Sequence, residues 1–223
     1  MSKVEFDCGK WLQEAEEFAL PNWSALPSIP LYMDQVMMFT GEALSLFERD
    51  EKQSLLTNSM INNYVKSGVL PPPKNKKYNR THLAILMIVC AMKPVMEISA
   101  VSDIIKRSIA AGSIEDVLDE FARMYENELS SSIKKANIAV EASHNDEILS
   151  YIAIENTLKA SAARTVAMHA YNSIQTDTQM DKKKEPAPQK KTVSPAKGKK
   201  KESSEEEISE STENSDDTHE END

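Results

Sequence analysis

Apolar residues recur every three or four positions through most of the chain, which is the spacing of one face of an α-helix. This pattern predicts helices over residues 9–19, 32–47, 60–66, 80–93, 99–112, 114–129, 131–142 and 146–174. With 5 glycines in 223 residues and only 6% aromatic residues, the composition also favours helix over sheet. The sequence therefore predicts a mainly α-helical fold.

Capping residues and prolines predict how the segment around residue 60 is built. Thr57 or Ser59 is suited to cap a short helix over 60–66, and Gly68 is placed to end it in the left-handed conformation. The prolines of "VLPPPKNKKY", residues 69–78, exclude a helix because they remove backbone donors and hold their predecessors extended. This stretch predicts a small loop or two-stranded wing.

The two ends of the chain differ from its helical middle. Residues 20–30, "LPNWSALPSIP", hold three prolines and predict an arm that packs Trp23 and Leu26 onto the body. Residues 181–201 are rich in Lys, Pro and Ala, and residues 202–223 carry 11 acids and no base. A segment with so few apolar residues cannot offset the entropy of ordering, so residues 181–223 are predicted to be a disordered, basic-then-acidic tail.

Charge is distributed unevenly along the chain. The net charge is -10, yet residues 52–96 carry seven basic residues and no acidic residue. A basic island of this kind indicates a polyanionic partner. It is equally typical of a surface that pairs with acidic segments of the same chain. Charge alone does not decide between these interpretations.

The chemistry of the side chains narrows the classes of function. Cys8 and Cys90 are 82 positions apart, which gives no disulfide framework or metal-ligand spacing and suits a reducing cytoplasm. The N-terminus lacks an apolar signal core, and the apolar run at 83–92 is about half of the roughly 20 residues that a bilayer needs. The sequence has no pair of histidines at ligand spacing, no Gly-rich phosphate loop and no nucleophile elbow. We expect a cytoplasmic protein that is not an enzyme and has no cofactor, metal or membrane partner.

Residues 57–83 follow the order of a winged helix-turn-helix: a short capped helix, a Gly turn, a Lys-rich loop and an apolar helix. Asn62, Asn63 and Lys66 would lie on the outer side of the short helix, where asparagine can form a bidentate contact with adenine. Lysines of the loop would contact phosphates, which give affinity and little sequence information. The predicted DNA-binding residues are Thr57, Ser59, Asn62, Asn63, Lys66, Lys74, Lys76, Lys77, Tyr78 and Arg80.

Three stretches carry a resemblance to a known family. "MINNYVKSGVLPPP" resembles the recognition-helix segment of MerR-family transcription regulators, where a helix with an aromatic and a basic residue runs into Gly-Leu-Leu-Pro. "KKYNRTHLAIL" is similar to that family's wing exit, and "KPVMEISAVSDII" to the turn that follows. The connector before the short helix is longer than in typical members, and the wing lacks their Gly-Tyr-Arg. The N-terminal two-thirds is most similar to an uncharacterised bacterial family, a domain of unknown function with this MerR-like core.

The resemblance implies a transcription regulator that binds double-stranded DNA as a homodimer. It divides the chain into an N-terminal helical arm (1–30), a MerR-like winged helix-turn-helix (31–112), a helical dimerisation or effector region (113–180) and the tail (181–223). The small residues and thin apolar stripe of the last helix independently favour dimerisation. A monomeric bundle stays the alternative for assembly, and a protein-interaction module without specific DNA binding stays the alternative for function. No small-molecule effector is identifiable from the sequence.

Overall fold

The computed structural model describes residues 8–47, 55–143 and 145–184. The α-helices of this part of the chain are α1 (Cys8–Glu16), α2 (Met33–Ala43), α3 (Asn58–Lys66), α4 (Arg80–Met92), α5 (Ile98–Ala111), α6 (Ile114–Ala142) and α7 (Asp146–Lys184). Short 3-10 helices occupy Trp23–Ala25 and Ser45–Phe47. The described residues form no β-strand, and only isolated bridges join Leu31 to Tyr78 and Lys74 to Lys77. The prediction of a mainly α-helical fold is confirmed.

The described residues belong to one compact unit, which ends at Lys184. The predicted tail from residue 185 onward lies outside the described residues. Residues 181–184, which were assigned to that tail, continue α7 instead. The predicted end of the last helix at residue 174 was therefore too early. Lysine and glutamine favour helix without contributing to an apolar stripe, which explains why the pattern missed them.

Helix α4 forms the centre of the main core. Every side chain from His82 to Cys90 is buried, because this helix is apolar on all of its faces and must be surrounded. α2, α5 and α6 pack against it. Ile61 and Tyr64 of α3 belong to the same cluster of buried side chains. The short α3 is thereby held against the core that α4 organises.

A second cluster joins α1 to the far half of α6. Leu12 and Ala15 of α1 are buried there with Ile133, Ala136 and Val140 of α6. The sequence predicted a break in α6 between residues 129 and 131, but the helix is continuous over 29 residues. The apolar positions of α6 continue at helical spacing across the serines, so one helix packs against the main core and, beyond the serines, against α1.

Two predicted helices end earlier than expected. α1 ends at Glu16 rather than at residue 19. α2 ends at Ala43, because Leu44 takes a non-helical backbone (φ -120°, ψ 19°) while its side chain is fully buried. The N-terminal arm packs as predicted, with Leu26 buried and Trp23 partly buried against the core. The Trp23 backbone N–H also donates to Asp119 Oδ1 of α6 at 2.6 Å.

Candidate nucleic-acid interface

Both ends of α3 are fixed by local hydrogen bonds. At its start, the Thr57 hydroxyl accepts a hydrogen bond from the Met60 backbone N–H at 3.2 Å, which confirms Thr57 as the N-cap. At its end, the backbone N–H groups of Val69 and Leu70 donate to the Tyr64 carbonyl at 2.9 and 3.0 Å. Gly68 allows this reversal because its φ is +71°, in the left-handed region. The predicted stop at Gly68 is confirmed.

Gly68 and Gly41 give a matched pair of substitutions with opposite expected signs. A Cβ at either position would have nothing within 4 Å, so only backbone preference decides the effect. Gly68→Ala should lower the free energy of unfolding by about 1–2 kcal/mol, because an L-residue disfavours the left-handed region. Gly41→Ala, inside α2, should raise it by about 0.5–1 kcal/mol. Urea unfolding measures both, and a Gly68→Ala variant as stable as wild type would contradict the assigned turn.

The outer face of α3 is polar and exposed. It presents Thr57, Asn58, Ser59, Asn62, Asn63 and Lys66 to solvent. The buried face holds Ile61 and Tyr64. The predicted outward orientation of Asn62 and Asn63 is confirmed, whereas their contact with bases stays a prediction.

The Lys-rich loop closes in a tight turn. The Lys77 backbone N–H donates to the Lys74 carbonyl at 3.0 Å across Asn75 and Lys76. The φ angles of those two residues are 53° and 60°, which is the signature of a type I′ turn. Lys74 and Lys76 are exposed. The segment therefore forms a small loop with one tight turn, and its described residues form no two-stranded wing.

The turn lies close to α3 along the chain. Leu70 donates its backbone N–H to the Tyr64 carbonyl of α3 at 3.0 Å. Only four residues then lead to Lys74, and a chain of that length spans at most about 14 Å. Lys74 therefore lies within about 14 Å of Leu70, which is itself bonded to the C-terminal part of α3.

Lys77 and Tyr78 anchor the turn to the segment before α2. Lys77 Nζ lies 4.7 Å from the centroid of the Tyr32 ring, a cation–π contact. The Tyr78 backbone exchanges two 2.8 Å hydrogen bonds with Leu31. The Tyr78 side chain is only 3% exposed and packs edge-on against His82. Its contact with DNA stays a prediction, although its ring lies in the core beneath the turn and not on the surface.

Arg80 is held by the N-terminal arm. Its Nε donates to the Leu26 carbonyl at 3.1 Å, and its guanidinium lies 5.7 Å from the Trp23 ring centroid. Its contact with phosphate stays a prediction. No local pattern could show that Trp23 supports Arg80 and that Tyr32 supports Lys77, because the partners are about 50 positions apart and no spacing rule links them.

The lysines around α3 and the turn have no carboxylate partner in the part of the chain that the structure describes. The ion pairs found there join Lys10 to Glu14, Arg123 to Glu120 and Lys159 to Glu155. Each of these pairs joins two residues of the same helix. The described residues therefore give no support to the interpretation that acidic flanks neutralise the basic island.

His82 couples the start of α4 to the proline loop. Its Nδ1 accepts a hydrogen bond from the Asn79 backbone N–H at 3.1 Å, while Asn79 Oδ1 accepts from the His82 N–H at 3.3 Å. Its Nε2 is buried near the backbone of Pro72 and Pro71 without a well-aligned hydrogen bond. Burial lowers the pKa of His82 below its usual value, and the surrounding backbone groups offset only part of this effect.

The lowered pKa of His82 predicts a loss of stability in mild acid. The unfolded chain takes up the proton first, so the free energy of unfolding is at its full value above the unfolded pKa of about 6.5 and falls as pH decreases below it. Urea unfolding between pH 7.5 and 5.5 should show this slope in wild type. His82→Gln should flatten it, and His169→Gln, at an exposed site on α7, should not. An equal slope in all three proteins would rule out His82 as the cause.

Within the described residues, no group of three or more His, Cys, Asp and Glu side chains is arranged to hold a metal ion. No helix in the same part of the chain is long and apolar enough to cross a membrane. Burial raises the pKa of the Cys90 thiol to about 11, so this side chain is an inert part of the core. The exposed polar residues of α3 and the turn form the candidate functional surface.

A domain of unknown function, DUF1836, covers residues 21–128. The matched region begins in the N-terminal arm and ends within α6, so it contains α3, the turn, and the aromatic residues that support Lys77 and Arg80. No curated protein and no solved structure matches the chain. The predicted similarity to an uncharacterised domain family is confirmed at this level.

Proposed function

We propose that the chain is a cytoplasmic transcription regulator that binds double-stranded DNA through a MerR-like winged helix-turn-helix. α3 is the recognition helix, and the turn from Lys74 to Lys77 is the wing. The observation that carries the proposal is the exposure of Asn62, Asn63 and Lys66 on α3 together with that of Lys74 and Lys76 in the turn that follows it. Asparagine side chains can pair with adenine in the major groove, and ammonium groups neutralise backbone phosphates.

In this proposal some residues recognise bases, and others position the protein on the DNA backbone. Asn62 and Asn63 contact base edges, while Lys66, Lys74 and Lys76 contact phosphates. Thr57 and Ser59 lie at the start of α3, where polar side chains of a recognition helix meet the backbone. Lys77 and Arg80 hold the wing against Tyr32 and Trp23, and this fixes the angle at which the wing meets the duplex.

The phosphate role of the wing is tested by the salt dependence of binding to a random duplex. Each phosphate contact contributes about 0.9 to the slope of log K against log salt concentration. Lys74→Ala/Lys76→Ala should therefore reduce the magnitude of the slope by roughly 2. The matched control is Lys134→Ala/Lys135→Ala, which removes an equal charge from an exposed site on α6 and should leave the slope unchanged. If both variants reduced the slope equally, binding would depend on net charge alone and not on the lysines of the turn.

We further propose that the active form is a homodimer made through α7. Large apolar side chains of this helix face solvent: Tyr151, Ile154, Leu158 and Val166 are 60%, 61%, 64% and 71% exposed. Their spacing places them on one face, over a length of about 22 Å. An exposed apolar stripe of this kind is typical of an interface. Two-fold pairing would present two recognition helices to paired half-sites.

The body of the protein already holds α7 by its other sides. Arg164 Nε donates to the Val95 carbonyl at 2.7 Å. Tyr171 Oη and Gln175 Nε2 donate to Asp103 Oδ2 of α5 at 3.0 and 2.9 Å. These contacts fix the helix, so its apolar stripe is presented as a rigid surface.

A protein-interaction module without specific DNA binding is the second candidate function. It is favoured by the internal contacts of Lys77 and Arg80, which reduce the number of cations directed at solvent. It predicts that duplex binding is weak and that the wing and control variants behave alike. The salt experiment therefore separates the two functions.

A further inference from the structure

A groove of about 540 Å³ opens between α4, α5 and the start of α6, away from the candidate DNA surface. Apolar side chains form most of its walls. They include Ile88, Met92, Ile104, Val117, Phe121 and Met124. Sites for small molecules typically measure about 300–1,000 Å³ and are lined mainly by hydrophobic and aromatic side chains. The groove meets both criteria.

Much of this apolar lining remains in contact with water. Met124 is 49% exposed, and Ile104, Val117 and Phe121 are only partly buried although three helices surround them. The two methionines at the walls, Met92 and Met124, can adapt their shape to an occupant because their side chains are unbranched and flexible. An apolar occupant would be stabilised by removing this surface from water.

The charges at the groove define the kind of occupant. Its lining contains no lysine or arginine among the described residues, and its two acids are already engaged. Asp116 accepts a hydrogen bond from the Ser113 hydroxyl at 2.6 Å, and Glu120 accepts one from Arg123 Nε at 2.9 Å. The carboxylates disfavour an anion, and they are already hydrogen-bonded to Ser113 and Arg123, so neither is left as an unpaired charge that would favour a cation. The Ser108 hydroxyl is the neutral polar group of the lining.

The size of the groove suits a small molecule better than a docked helix. A helix about 10 Å in diameter with a pitch of 5.4 Å fills roughly 420 Å³ per turn. The groove would hold little more than one such turn. A stable protein interface needs about 800 Å² from each partner, which one turn cannot supply.

We propose that this groove binds a neutral, largely apolar small molecule with one hydrogen-bonding group that pairs with Ser108. The site goes beyond the proposed DNA-binding function, and its test does not depend on DNA. It is also separate from the apolar stripe of α7, to which a second copy of the chain is assigned.

The test uses N-phenyl-1-naphthylamine, a neutral fluorescent probe with one N–H donor, titrated into the full-length protein. Saturable binding at a single site is expected. Ser108→Phe, which fills the groove, and Met124→Glu, which places a charge at its exposed rim, should each weaken binding at least about tenfold. Leu149→Ser, on the face of α7 opposite to the apolar stripe, is the control and should change the affinity by less than about twofold. Leu158→Ser, on the stripe, shows whether the probe binds there. The anionic probe 8-anilinonaphthalene-1-sulfonate should bind more weakly than the neutral one.

Two further results keep the test decisive. Thermal unfolding of both groove variants should resemble wild type, and Met124→Glu keeps the proposal testable if Ser108→Phe does not fold. Absence of saturable binding, or equal affinity in wild type and in the folded groove variants, would overturn the proposal. Loss of binding in Leu158→Ser would place the probe on α7 instead. Binding that falls as protein concentration rises would show that a second copy covers the groove.

Discussion

Replacing Asn62 and Asn63 with alanine should remove most of the discrimination between a specific site and random DNA. A bidentate contact between asparagine and adenine is worth about 1–3 kcal/mol, so the loss of two contacts lowers specific affinity by roughly 30-fold to 10⁴-fold. Binding to random duplex should persist, because Lys66, Lys74 and Lys76 still contact phosphates. Competition binding with specific and random duplexes measures both quantities.

The fold should tolerate this double substitution. Both asparagines are exposed, and surface replacements usually change the free energy of unfolding by less than about 0.5 kcal/mol. Asn156→Ala, on α7, is the control and should bind the specific site like wild type. The two single variants show which asparagine contacts a base. Unchanged discrimination in the double variant would remove α3 as the recognition helix.

Leu158→Asp should convert the proposed dimer into a monomer. Two-fold symmetry buries Leu158 from both copies, and a buried leucine contributes about 1.5–3 kcal/mol. Losing two of them raises the dimer dissociation constant by at least about 100-fold, before the cost of burying aspartate is added. Sedimentation velocity measures the assembly state. Affinity for a paired DNA site should fall with it, while affinity for a half-site should not.

Leu149→Asp is the matched control for this substitution. Leu149 lies on the same helix, but nine residues from Leu158, which places it on the opposite face. It is 40% exposed. Its aspartate variant should remain a dimer. If Leu149→Asp and Leu158→Asp dissociate equally, general destabilisation of α7 rather than the apolar stripe would account for the result.

Much of the fold was predictable because its signals are local. The αL stop at Gly68 and the cap at Thr57 depend on a few neighbouring residues, and the fully apolar run of α4 indicates a central helix without further information. The continuity of α6 was harder to predict, because a run of serines interrupts its apolar positions. The positions beyond the serines are buried by contact with α1, which the sequence alone does not reveal.

The candidate site was predictable only in part for a related reason. Outward orientation of Asn62 and Asn63 followed from the apolar positions on either side of them. Burial of Tyr78 did not, because its pairing with Leu31 joins residues 47 positions apart. The contacts of Lys77 with Tyr32 and of Arg80 with Trp23 were missed for the same reason. Long-range contacts of this kind decide which cations support the wing and which remain available for phosphate.

The central claim is most directly tested by capture of genomic DNA fragments with the purified protein at low and high salt, followed by sequencing. Asn62→Ala/Asn63→Ala is measured beside wild type. We expect wild type to retain fragments that share a paired motif at the higher salt concentration, and the variant to lose them. No shared motif, or binding that disappears with salt and is the same in both proteins, would contradict sequence-specific recognition through α3.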